Sequence, residues 1–134
     1  MIMKKQELAC IIDDDLIYLY NMQKLLALHS INNVLVFHNG EEAMQYFTET
    51  GFATACMPDI ILLDINMPVM NGWEFLDAFK EARPLIQKDI TIYMVSSSVD
   101  KDDMKRAKSY EEVADYFVKP VTLANLEKIL SVLS

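Results

Sequence analysis

At 134 residues, 52% of them hydrophobic and 24% charged, the chain has the size and composition of one globular domain spanning 1–134. Its net charge of −8 opposes a phosphate backbone and argues against direct nucleic-acid binding. No apolar run approaches the roughly 20 residues of a membrane helix, and residues 1–6 lack the long apolar stretch of a secretory leader, so a cytoplasmic protein without membrane contact is expected.

In chain order, the first apolar run is 8–12, rich in Ile and Leu, and a helix-like stretch follows over 15–29. A second run, 34–37, leads into a helix over 41–48 that Asn39 can cap. The third run is 60–63, followed by a helix over 72–81 that Pro84 helps to end. The fourth is 90–95, with a helix over 100–110, and the fifth is 116–118. The last helix, 123–133, carries Leu123, Leu126, Ile129, Leu130 and Leu133 at helical spacing behind a Thr122 cap. The five runs are continuous rather than alternating, as in strands covered on both faces. Cys10 and Cys56 have no metal-ligand spacing, and Cys10 reads as a small core residue.

Strand–helix alternation repeated five times implies right-handed crossovers and a doubly wound α/β fold, a parallel sheet with helices on both faces. Five strands suit the flavodoxin-like order 2-1-3-4-5, in which ligands bind beyond the carboxyl ends of strands 1 and 3. Polar clusters follow the strands at that edge: Asp13-Asp14-Asp15, then Asp64 with Ile65-Asn66, then Ser96-Ser97-Ser98, then Lys119-Pro120. Singly, an aspartate run is also what a helix cap looks like, and a Lys-Pro pair reads as a turn. All four on successive strand ends, in order, point to one site.

Asp13, Asp14 and Asp64 brought together cannot all stay ionised unaided. Protons or a cation must compensate, and an oxygen-only site selects a hard ion such as Mg²⁺, not zinc. A carboxylate beside Mg²⁺ can accept a phosphoryl group, with Lys119 as a second positive charge and Ser96 as a hydroxyl donor.

The chain resembles the receiver domain of two-component response regulators over nearly its whole length. The matching segments are Ile11-Ile12-Asp13-Asp14-Asp15, Pro58-Asp59-Ile60-Ile61-Leu62-Leu63-Asp64-Ile65-Asn66-Met67-Pro68 with Asn71-Gly72, Met94-Val95-Ser96-Ser97, and Tyr116-Phe117-Val118-Lys119-Pro120. The resemblance implies a phosphorylated Asp64, with Mg²⁺ held by Asp14 and Asp64 directly, by Asp13 through water and by the Asn66 carbonyl. It makes Ser96 and Lys119 the phosphoryl contacts, Lys119-Pro120 a cis peptide, and Tyr116 an aromatic switch that turns inward as Ser96 moves. The surface of the fourth helix, fifth strand and fifth helix then changes shape. The implied partners are a sensor histidine kinase or histidine-phosphotransfer protein and a downstream protein target, with the chain a monomer or a phosphorylation-dependent homodimer. No appended DNA-binding domain is expected after Ser134. Departures are Asn71 for the commoner Asp, Ser97 for a small apolar residue, and long connections over 48–57 and 82–89.

In the first helix, Tyr18, Met22, Leu25 and Leu26 are expected to face the sheet, leaving Leu16, Leu19 and Tyr20 as an outward patch for the phosphodonor. Rival functions fit less well. A haloacid-dehalogenase-type phosphatase needs a second acid where Asn66 stands, so an enzyme is not expected. A flavodoxin-like electron carrier needs a glycine- and hydroxyl-rich phosphate loop, whereas the chain has three glycines and places acids there. The alternative is a degenerate receiver that binds proteins independently of phosphorylation.

Overall fold

A computed structural model describes residues 7–133. The expected absence of a leader over 1–6 therefore lies outside the described residues. Five parallel strands, β1 (Leu8–Ile12), β2 (Asn33–Phe37), β3 (Ile60–Leu63), β4 (Thr91–Ser96) and β5 (Val113–Val118), form one sheet in the order β2-β1-β3-β4-β5. Five helices alternate with them: α1 (Leu16–Leu28), α2 (Gly40–Glu49), α3 (Gly72–Ala82), α4 (Lys101–Lys108) and α5 (Leu123–Leu130). The expected architecture and strand order are both present. No helix among the described residues is long and apolar enough to cross a membrane.

Alternation along each strand splits the core in two, because successive side chains point to opposite faces. Ile12, Ile61, Leu63 and Met94 pack with Phe47 of α2, Phe75 and Leu76 of α3 and Ala107 of α4. Ile11, Leu62, Val95 and Phe117 pack with Leu19, Met22 and Leu26 of α1 and with Leu126 and Ile129 of α5. Cys10 is fully buried, and burial pushes its thiol pKa up. Coverage on both faces holds for β3 and nearly all of β1 and β4, but β2 and β5 are only partly buried because they are the edges.

Capping chemistry sets the helix starts. Asn39 and Thr122 accept from the N–H groups of Glu42 and Asn125, as the sequence suggests. Both long connections contain a short 3₁₀ turn, Thr54–Cys56 and Arg83–Leu85, and Lys88 links them by donating to the Met57 carbonyl at 2.7 Å.

One expectation for α1 is corrected. Leu19 is buried, 3% exposed, and does not belong to an outward patch. The stripe facing the sheet spans Leu19, Met22 and Leu26, with Tyr18 and Leu25 at its margin, so it is one position wider than assumed. The exposed apolar residues of α1 are Leu16, Ile17, Tyr20 and Leu28.

Candidate functional site

Strand register assembles the site. Ile12 pairs with Leu63, so the next residues, Asp13 and Asp64, leave the sheet side by side at the centre, where the crossovers diverge. Ser96 pairs with Val118, which sets Lys119 immediately beyond Ser96, and the Lys119 N–H donates to the Ser96 carbonyl at 2.9 Å. The Lys119-Pro120 peptide is cis. Among the described residues the buried polar side chains are Asp13, Asp64 and Ser96, and all three meet at this edge. Elsewhere the core is apolar, so desolvated polar groups are concentrated where chemistry can use them.

Asp13, Asp14 and Asp64 each bring a carboxylate oxygen within 4.8 Å of the others. Lys119 Nζ lies 2.7 Å from Asp13 Oδ2 and 3.8 Å from Asp64 Oδ2, and its side chain is 13% exposed. One ammonium does not neutralise three acids. Burial first, and the Asp13 charge second, push the Asp64 pKa up to about 6, against the pull of Lys119, the Ile65 N–H and Ser96. Burial likewise raises Asp13, although Lys119 and the Asp15 N–H lower it. The pocket is thus short of positive charge, and its donors are all oxygens. A divalent hard cation fits that donor set and that deficit. Asn66 is exposed on the loop after β3, beside the acids in sequence.

Two further contacts fix Asp64. Its Oδ1 accepts from the Ile65 N–H at 2.8 Å, and the Gly72 N–H donates to the Ile65 carbonyl at 2.8 Å. Gly72 packs so closely that a Cβ there would stand 2.2 Å from the Asp64 carbonyl oxygen. Only glycine lets α3 start against the Asp64 backbone. Asn71, the departure from Asp, keeps the capping function: its side chain accepts from the Glu74 N–H, and Glu74 returns the bond to the Asn71 N–H.

The segment after β4 joins the site to α4. Ser96 Oγ accepts from the Ser98 N–H at 3.2 Å, and Ser98 Oγ donates to Asp103 at 2.7 Å. Tyr116 is partly buried, packed against the core on the α3 and α4 side, and its hydroxyl donates to the Ser98 carbonyl at 2.8 Å. The anticipated acids, Asn66, Ser96 and Lys119 therefore lie at one edge of the sheet or on the loops leaving it, whereas Tyr116 lies within β5, paired with Met94. Sequence reasoning missed Gly72 as a spacer and Ser98 as a junction, and it assigned Tyr18 to packing alone. The Asn-Gly pair after Met-Pro was a signal for the first. The other two have no signal short of three dimensions.

A family model described as the response regulator receiver domain matches residues 9–131. The transcriptional regulatory protein PrrA of Mycobacterium leprae is 34% identical over 117 residues, 87% of this chain and 45% of that protein. The chain thus spans about half the length of the first curated relatives it matches. A two-component response regulator from Cytophaga hutchinsonii has a similar crystal structure, with TM-score 0.84 and 32% identity over 96% of this chain and 98% of that one. The phosphorylated cyanobacterial phytochrome response regulator RcpA is also similar, with TM-score 0.77 and 29% identity over 96% of this chain and 91% of that one.

Proposed function

The chain belongs to the response regulator receiver domain family, and on that premise we propose that it accepts a phosphoryl group on Asp64 from a phosphohistidine donor in a His-Asp phosphorelay. The observation that carries this reading is the charge-deficient pocket of Asp13, Asp14 and Asp64, closed by Lys119 and by buried Ser96. The similar RcpA structure is of a phosphorylated protein. The whole chain, 1–134, serves as one receiver, and it is a phosphoryl acceptor rather than a turnover enzyme.

Asp13, Asp14, Asp64 and the Asn66 carbonyl would hold Mg²⁺, which when bound neutralises charge on the transferring phosphoryl oxygens. Asp64 attacks phosphorus with an oxygen that is already ionised at neutral pH, so no general base is required. An oxygen–phosphorus bond forms as the nitrogen–phosphorus bond to the donor imidazole breaks. Lys119 lies in ion-pair reach of Asp64 and places its charge beside the new group. Ser96 supplies a hydroxyl on the opposite strand neighbour.

The same movement carries the output. Drawing Ser96 toward the phosphoryl group acts on 96–98, the segment that Tyr116 and Asp103 hold. The surface of α4, β5 and α5 then shifts toward the form a downstream protein target prefers, or toward a homodimer. On the donor side, a mostly apolar cleft of about 730 Å³ runs along α1 to Lys119 and Pro120, lined by Ile17, Tyr18, Met22 and Leu25. With exposed Leu16 and Tyr20 nearby, this is the docking surface for a histidine kinase or histidine-phosphotransfer bundle.

Incubation with acetyl phosphate, with and without Mg²⁺, followed by intact-mass measurement, tests the reading. One phosphoryl adduct is expected, dependent on Mg²⁺ and absent from Asp64→Ala. No adduct from any donor, or an adduct retained in Asp64→Ala, refutes it.

A further inference from the structure

Lys119 has a third neighbour besides the two acids. Its Nζ stands 4.3 Å from the centroid of the Tyr18 ring, the closest cation–aromatic contact among the described residues. The ammonium is also well shielded, on a side chain only 13% exposed. A cation over an aromatic face is worth most where water is excluded.

The ring cannot easily leave that place. Tyr18 sits in the first turn of α1, where its N–H and that of Ile17 donate to the Asp15 carboxylate. Asp15 is itself tied to the site, since its N–H donates to Asp13 Oδ1 at 2.9 Å. The ring then packs against the core shared by α1 and α5. The same short segment therefore fixes an acid of the pocket and the aromatic face that meets the lysine.

We propose that Tyr18 is a positioning residue whose ring seats the Lys119 ammonium beside the phosphoryl-accepting oxygen. A second claim follows from the chemistry of the seats. Asp13 and Asp64 are charged and are contested by any cation entering the pocket, whereas the ring face is neutral and fixed. The ring holds Lys119 in reach of Asp64 when its carboxylate partner is taken. The hydroxyl has no part in this: it is buried without a hydrogen-bond partner among the described residues. A phenylalanine would do the same work, and an aliphatic side chain of similar volume would not.

The effect on phosphotransfer rests on the phosphoacceptor reading; the seat itself does not. The test compares wild type with Tyr18→Phe, Tyr18→Leu and Tyr18→Met, Met being a flexible filler should Leu fail to fold. Carbon-resolved NMR reports the ε-methylene protons of Lys119, identified by their loss in Lys119→Arg. An upfield ring-current shift is expected in wild type and Tyr18→Phe and is lost in the aliphatic variants. With acetyl phosphate and Mg²⁺, the apparent second-order rate of adduct formation is expected to fall about 3- to 30-fold in the aliphatic variants, the range of a cation–π contact, while Tyr18→Phe stays near wild type. A folded aliphatic variant with Lys119 signals unmoved, or with an unchanged rate, overturns the proposal. So does a Tyr18→Phe protein as impaired as Tyr18→Leu. Should wild type take no phosphoryl group, the phosphoacceptor reading fails while the NMR comparison still decides the seat.

Discussion

Replacing Asp64 by Asn should make the cation-free protein more stable while ending its phosphorylation. Asn keeps the shape and removes the charge from a side chain that is 9% exposed. The folded state raises the Asp64 pKa from 3.8 to about 6. A carboxyl held above its unfolded value binds its proton more tightly when folded. Stability therefore declines as pH climbs from the unfolded pKa to the folded one, and the full loss is present above about pH 6. Two pH units at about 1.4 kcal/mol each give an upper figure near 3 kcal/mol, which solvent screening reduces to about 2 kcal/mol. For a domain of this length that corresponds to a melting-point gain of roughly 6–10 °C. Asp13 shares the burden, since its charge is the second contribution to the Asp64 shift, and part of the relief passes through it. The assay is urea and thermal unfolding in EDTA at several pH values from 4 to 8. The gap between variant and wild type should be near zero at pH 4, open between pH 4 and 6, and stay flat above. A gap that does not change with pH, or a variant that is less stable at pH 7.5, refutes the reasoning.

Three other outcomes are expected. Gly72→Ala drives a methyl group into the Asp64 carbonyl oxygen at 2.2 Å, costing about 3 kcal/mol in urea unfolding and slowing adduct formation, because α3 and the Asp64 backbone must separate. Leu19→Asp, placed in the core, unfolds the protein, whereas Tyr20→Asp on the exposed side of α1 changes stability by less than about 0.5 kcal/mol. Tyr20→Asp should slow transfer from a phosphohistidine donor and leave acetyl phosphate labelling intact; equal transfer rates would remove the docking surface. Ser98→Ala loses the bonds to Asp103 and the Asp100 N–H, so it should cost about 1 kcal/mol and speed amide exchange over 100–104; unchanged exchange there would mean that Ser98 does not anchor α4.

Legibility in the sequence followed physical periodicity. The strands that lie inside the sheet, β1, β3 and β4, are continuous apolar runs and were visible as such. β5 begins at Val113, three residues before its apolar run, because Lys128 of α5 pairs with Asp115 and lets an acid stand within an edge strand. The acids, Ser96 and Lys119 were readable because each follows an apolar run, which places it at the strand ends without any knowledge of contacts. The facing of α1 was not readable to one residue. Its apolar positions run almost all the way round, so the register comes from Asp15 capping the helix rather than from a sharp stripe. Tyr18 shows the same blind spot at a smaller scale. Spacing marks it as core, and only the approach of Lys119 from a strand 101 positions later gives its ring a second role.

The sheet also acts as a partition. Tyr116, Trp73 and α4 share the interior on one side, while Tyr18, α1 and α5 share the other. On the proposed function, the donor cleft draws on the α1 compartment, whereas the output surface of α4, β5 and α5 draws on both compartments, which meet at the row of acids, Ser96 and Lys119 at the sheet's edge. On that function, a duplicated copy of such a chain can repack the interior around α4 and change its downstream allegiance while the α1 cleft keeps its shape, whereas a change in the interior shared by α1 and α5 reaches donor and target alike.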